Sequence, residues 1–385
     1  MNDGRGESAR TKPVAVRVGV PRRDSSYDVV VGPGLSAQVP SMIRARCPKA
    51  GRVALVTDEN VAPHYADALE AGLAVESFET RRFVLPPGEE TKTLASLEQL
   101  VEGFIDFGLS RSDLVVTLGG GVIGDLGGLA AATFMRGIDF VQVPTSLLAQ
   151  VDASVGGKVA VDLPSGKNLF GAFHFPRLVA IDPDVLRTLP DRELACGLAE
   201  MIKHAALFSR EHFDELGAAI EAIYGRDGSS VAPLVATSVA HKANCVARDP
   251  REASLDATGR IVLNLGHTVG HALESLSNFE LQHGEAVALG LIATMRVSHG
   301  KLGAPAELEE RLVDFLVAAR LPHDLDGWVA RVGEGALIEL LARDKKRRSV
   351  REISFVGLTD WARPRVISLP PAEIVRLLRR PTSAP

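Results

Sequence analysis

The run Leu114-Val115-Val116-Thr117-Leu118 leads directly into Gly119, Gly120 and Gly121, followed by an apolar-periodic stretch from Val122 to Phe134. An unbroken apolar run bounded by glycine is the pattern of a strand buried on both faces. Such a strand needs helices on each side of a mostly parallel sheet. The glycines therefore fall at a strand-to-helix turn. Glycine lets a ligand come close to the backbone, and the first helical turn offers unpaired N–H groups to phosphate oxygens. GGGVIGD has the glycines of a dinucleotide cradle in a register other than GxGxxG. On these residues alone, a tight turn with close packing is the alternative.

Past this turn, Phe140 to Pro144 reads as a second strand, leading to Thr145 and Ser146. Asp152, Lys158, Lys167 and Asn168 follow within a short span, both lysines directly after glycine. That suggests a site for anionic ligands. A solvated hairpin is the alternative; it suits Ser165-Gly166 and suits the buried-looking run Val151 to Val161 poorly. A net charge of −5 argues against a general nucleic-acid binder, so these lysines are local. No apolar run approaches the ~20 residues that span a bilayer. Residues 1–13 lack the apolar segment of a signal peptide and read as a disordered tail. The three cysteines are too scattered for a disulfide framework or a zinc knuckle, which suits a reducing cytoplasm.

In chain order, Val14 to Val20 and Tyr27 to Val31 read as strands. Val53 to Val56 is a third, with Asp58 and Asn60 at its C-terminal end, where open α/β sheets bind ligands. A helix-capping role fits either residue alone. Strand, polar loop and helix recur through Ile181, with Glu89 and Lys92 at another strand end. From Pro183 to Ala342 the period is helical: Asp191–Phe208, Glu211–Ile223, Val231–Arg248, Arg260–Leu276, Gly284–Leu302 and Ala306–Ala319. A strand pair, Glu352–Val356 and Arg365–Leu369, precedes a short helix. The expected organisation is a Rossmann-like α/β nucleotide-binding domain over 14–182 and a mostly α-helical domain over 183–385, with the site in the cleft between them.

The helical half carries its own chemistry. Glu200 and Lys203, three apart, share a face of an apolar helix; alone they read as an ion pair. His267 and His271 lie four apart, a spacing known from zinc sites, and His283 opens the next helix. One carboxylate and two histidines suit a divalent ion with an open position. Spacing leaves open whether the second histidine is His271 or His283, with His204 a further rival. Lys242, Arg260, Lys345 and Lys346 add positive charge suited to a carboxylate or phosphate.

Together these motifs resemble the 3-dehydroquinate synthase family of sugar phosphate cyclases. The marks are Pro87 to Lys92, Gly119 to Asp125, Val151 to Lys158, Gly166 to Asn168, Gly197 to Lys203, Asn264 to Thr268 and His283 to Glu285. The resemblance implies NAD and a divalent metal (Zn2+, with Co2+ as an alternative) as cofactors, a sugar phosphate as substrate and a homodimer as assembly. It implies that Glu200, His267 and His283 are the metal ligands, freeing His271 for the substrate's phosphate end and leaving His204 structural. Asp58, Asn60, Glu89, Lys92, Gly120, Gly121, Val122, Asp125, Thr145, Ser146, Lys158, Lys167 and Thr188 are the implied NAD contacts. Asp152, Lys158, Asn168, Lys203, Lys242, Arg260, Asn264 and one of Lys345 or Lys346 are the implied substrate contacts, with Arg136 reaching the phosphate across a dimer interface. Val159 and Ser146 stand where the family commonly has threonine. The loop between Lys242 and Arg260 is longer than usual. The implied reaction oxidises the heptulosonate phosphate, eliminates phosphate, returns the hydride and closes the ring, without net redox. The alternatives are another cyclase, making aminodehydroquinate, deoxy-scyllo-inosose or an epi-valiolone, and a metal-dependent polyol dehydrogenase.

Overall fold

The computed structural model describes residues 25–278, 280–343 and 352–379. The expected strand at 14–20, the tail at 1–13, and Lys345 and Lys346 lie outside the described residues.

Six parallel strands form the first sheet: β1 (Asp28–Val31), β2 (Arg52–Asp58), β3 (Glu79–Leu85), β4 (Leu114–Gly119), β5 (Asp139–Pro144) and β8 (Leu178–Ile181). The order is β1-β8-β5-β4-β2-β3. β2 and β4 are neighbours, and the chain leaves them in opposite directions, to β3 and to β5. The C-terminal ends of this pair form the crevice where such sheets bind ligands. Successive side chains of β2 alternate between two cores, as strand geometry requires. Val53 and Leu55 face helices α1 (Val39–Arg46) and α2 (Ala62–Val75). Ala54 and Val56 face α3 (Leu94–Asp106) and α4 (Gly121–Thr133). Leu126 and Leu129 of α4 are almost fully buried, each worth roughly 1.5–3 kcal/mol.

Between β5 and β8 lies an antiparallel hairpin, β6 (Lys158–Leu163) with β7 (Gly166–Phe173). The hairpin reading thus holds from residue 158 onward. Val159 and Val161 looked too apolar for a solvated hairpin because they pack into the α4 core. Before it, Ala149–Ala153 forms a single π-helical turn.

The helical half comprises α5 (Asp191–Phe208), α6 (Arg210–Ala218), α7 (Ile220–Tyr224), α8 (Gly228–Arg248), α9 (His267–Leu276), α10 (His283–Leu302), α11 (Glu307–Ala318), α12 (Leu325–Val332) and α13 (Glu334–Arg343). Strands β9 (Ile353–Leu358) and β10 (Pro364–Leu369) pair antiparallel before α14 (Pro371–Leu377). The expected helix 211–223 breaks at Ala219. The expected helix 260–276 is two pieces: a 3-10 turn, Arg260–Asn264, and then α9, separated by Gly266 at φ 78°. No helix among the described residues is long and apolar enough to cross a membrane.

Candidate active site

Three helices bring the site together because their backbones touch. A Cβ on Gly284 of α10 would lie 2.3 Å from Cys196 Cα on α5, and one on Gly290 would lie 1.8 Å from the Gly266 carbonyl oxygen. Only glycine allows this approach. It sets Glu200, mid-α5, opposite His267 and His283, the first residues of α9 and α10.

Glu200 is fully buried. Its Oε1 lies 3.5 Å from His267 Nε2 and 3.4 Å from His283 Nε2. Bonds of about 2.1 Å to a shared tetrahedral ion require ligand-to-ligand edges of about 3.4 Å. Lys203 ion-pairs with Oε2, but neither carboxylate oxygen accepts a hydrogen bond among the described residues. Oε2 is taken by Lys203, but Oε1, buried and facing two imidazoles at these distances, fits a divalent cation. His267 Nδ1 meets the Leu265 carbonyl at 3.0 Å, leaving Nε2 to face Glu200. Burial, then Lys203, holds His267 well below the usual histidine range. Burial opposes protonation of His283, but Glu200 and Glu274 outweigh it and push its pKa up to about 9.

His271 also offers a nitrogen within 4.8 Å of His267 and His283. Asp152, Glu200 and His204 form a second such group. That set is poorly suited to a cation, because ammonium groups already occupy it. Asp152 Oδ1 lies 2.7 Å from Lys242 Nζ, 3.7 Å from Lys203 Nζ and 3.4 Å from His204 Nε2. Burial would raise the Asp152 pKa, but Lys242 and Lys203 hold it well below the usual carboxylate range. Burial brings Lys242 down to about 8 despite Asp152. His204, also fully buried, bonds Ser238 Oγ at 2.8 Å.

On the sheet side, the turn after β4 leaves an open cradle. A Cβ on Gly120 would meet Ser146 Oγ at 3.5 Å, and one on Gly121 would meet Ala153 at 3.4 Å. Val122 continues this first helical turn, and the Thr145 N–H bonds the Gly119 carbonyl at 2.9 Å. Lys92 gathers Asn168 Oδ1 at 2.5 Å, Asp125 at 2.8 Å and Glu89 at 3.6 Å. Burial lifts the Asp125 pKa to about 6 against the pull of Lys92. Asp58 behaves as a turn cap, its Oδ1 accepting from Asn60 N at 2.9 Å and Val61 N at 3.0 Å. Thr188 shares a 2.7 Å hydrogen bond with Tyr65.

Lys158 ion-pairs with Glu252 of the long loop. Arg260 is buried and donates to the Gly156 and Pro250 carbonyls at 2.9 and 3.3 Å, so neither Glu252 nor Asp256 engages its guanidinium. Asp249 organises that loop by accepting from Ala253, Ser254 and Arg260 N–H groups. Asn264 ends the 3-10 turn, exposed, so helical i,i+4 spacing does not relate it to Arg260. Arg136 is exposed at a left-handed corner, φ 70°.

Sequence reasoning missed Glu274, which meets His283 Nδ1 at 3.5 Å and Lys167 Nζ at 2.8 Å. Its signal was its place seven residues after His267, two turns along one helix face.

The parallel sheet followed by a helical half is the fold that sugar phosphate cyclases share with a group of dehydrogenases. The solved structure of a 2-epi-5-epi-valiolone synthase from Streptomyces hygroscopicus subsp. jinggangensis, with NAD+ and Zn2+ bound, superposes with a TM-score of 0.83 at 27% identity, covering 94% of this chain and 98% of that one. The chain belongs to the 3-dehydroquinate synthase family. The family's N-terminal model matches residues 82–196 and its C-terminal model residues 197–347. The 3-dehydroquinate synthase of Caulobacter vibrioides is 46% identical, covering 90% of this chain and 92% of its own length. That of Symbiobacterium thermophilum is 42% identical, covering 91% and 94%.

Proposed function

We propose that the chain converts 3-deoxy-D-arabino-heptulosonate 7-phosphate to 3-dehydroquinate and phosphate, with NAD and a divalent metal, Zn2+ or Co2+, as cofactors. The observation that carries this reading is Glu200 Oε1, buried, without a hydrogen bond and spaced from His267 and His283 as ligands of one ion are. Glu200, His267 and His283 would hold the metal. The glycine cradle at 119–121, with Lys92, Asp125, Thr145 and Ser146, would hold the cofactor. When bound, NAD supplies reversible hydride transfer and the metal supplies Lewis acidity.

The protein's own groups bind and orient. Asp152, held ionised between Lys203 and Lys242, accepts hydrogen bonds from substrate hydroxyls and keeps both ammoniums turned inward. Lys158, Asn168, Arg260, Asn264 and His271 surround the anionic ends of the substrate. Residues 14–182 act as the cofactor domain and 183–385 as the metal and substrate domain. A homodimer fits the exposed apolar residues of β7, Leu169, Phe170 and Phe173. The Met135-Arg136 corner is adjacent, since His174, just past β7, bonds the Ile138 carbonyl at 2.8 Å. Three buried free cysteines suit a reducing cytoplasm.

The test is phosphate release from the heptulosonate phosphate, with and without EDTA. Release that EDTA abolishes and Zn2+ restores, with no accumulation of NADH, is expected. NADH formed in step with substrate loss would instead identify a polyol dehydrogenase. Efficient turnover of a carboxylate-free sugar phosphate would identify another cyclase.

A further inference from the structure

Glu274 lies on α9 with only 5% of its surface exposed. Its two oxygens face different partners. Oε1 accepts from Lys167 Nζ at 2.8 Å, and Oε2 stands 3.5 Å from His283 Nδ1. Lys167 comes from the hairpin strand β7, in the other half of the chain. A neutral imidazole has one N–H and one lone pair, and whatever accepts from the N–H decides which nitrogen is free to bind a metal. His267 has its Nδ1 settled by a backbone carbonyl, whereas among the described residues the partner of His283 Nδ1, at the start of α10, is Glu274.

We propose that Glu274 is a positioning residue for the metal centre: it accepts from His283 Nδ1, fixing the ring so that the Nε2 lone pair faces the ion. This rests on the assignment of Glu200, His267 and His283 as ligands. Lys167 pairs with the other Glu274 oxygen. The rival explanation is that Glu274 only clamps the hairpin to α9 through Lys167.

The experiment measures Zn2+ affinity of metal-stripped protein by competition with a chromophoric chelator. It also records the visible spectrum of the Co2+-substituted protein. Glu274→Gln and Glu274→Ala should bind Zn2+ about 10–100-fold more weakly, the usual cost of losing such a partner, and the Co2+ bands should shift. Lys167→Met removes the clamp and leaves Glu274 to His283, so it should bind Zn2+ within about twofold of the unaltered protein. Wild-type Zn2+ affinity in Glu274→Gln and Glu274→Ala would overturn the proposal. An equal loss in Lys167→Met would do so too, by showing the clamp to be the cause. His283→Ala, run in parallel, separates the two readings. If it keeps Zn2+, the ligand assignment itself fails; if it alone loses Zn2+, only the role of Glu274 falls.

Discussion

Glu200 and Asp152 are two carboxylates whose surroundings treat them oppositely. Asp152 is neutralised from within, by Lys242 at 2.7 Å and by Lys203 and His204 further off. Glu200 has Lys203 on one side, but its oxygens remain without hydrogen bonds beside two imidazoles. A buried carboxylate already paired with cations has no need of a further one, whereas a buried oxygen left without a partner, as Glu200 Oε1 is, marks where a cation from outside belongs. The same contrast separates the two lysines of this centre. Lys203 is held protonated, its burial overcome by Glu200 and Asp152, while burial lowers Lys242 towards neutrality.

The largest expected effect breaks the contrast directly. His267→Ala or His283→Ala should lose bound metal and about a thousandfold or more in activity, since such an ion supplies several kcal/mol to the transition state. Asp152→Asn should keep its metal. Metal analysis of the purified variants decides this: retention in both histidine variants with loss in Asp152→Asn would move the ion to Asp152, Glu200 and His204.

Next in size is the stability of the satisfied cluster. Asp152→Asn leaves the Lys242 ammonium with neutral acceptors, among them the backbone carbonyl of residue 152, and should cost about 1.5–3 kcal/mol in urea unfolding at fixed metal content. An unchanged midpoint would mean that those charges are hydrated and not paired.

Arg260→Lys is expected to lower kcat/KM for the heptulosonate phosphate by about 10–100-fold, from about 1.5–3 kcal/mol for a charged two-point contact. It should also lower stability by about 1 kcal/mol, because the guanidinium bonds to Gly156 and Pro250 are lost. A stability loss with unchanged kinetics would make Arg260 purely structural.

The smallest effect is a pH limb. Burial brings Lys242 down to about 8, so its charge is present below that pH and lost above it. On this account kcat/KM for the anionic substrate is level below about pH 8 and falls as pH rises past it. Lys242→Arg should move that limb upward. A profile identical in the two proteins would assign the limb to another group.

The sequence exposed what is local and periodic. The run 114–118 implied the buried central strand, and α5 has the expected bounds, Asp191 to Phe208. The pattern of Glu200, His267 and His283 left His271 as a rival, which only the spatial approach of His283 Nε2 to Glu200 could weaken. Gly266 broke the expected helix at 260–276 unseen, because glycine inside an apolar period does not announce a left-handed turn. The bond from Lys167 to Glu274 joins residues 107 positions apart, beyond any local pattern. The hairpin was ambiguous because β7 is exposed and lacks a buried face to read.

The glycine contacts between α5, α9 and α10 bear on how the protein handles its ion. The three proposed ligands are carried by helices already seated backbone against backbone. Small metal domains gain much of their folding energy from the ion and collapse when it is chelated. Here the helices that carry the proposed ligands are held by contacts of their own, so uptake and loss become questions of charge and access rather than of folding. Stripped protein would keep its shape in storage and recover on titration with Zn2+, and exchange of one divalent ion for another would proceed without passing through an unfolded chain.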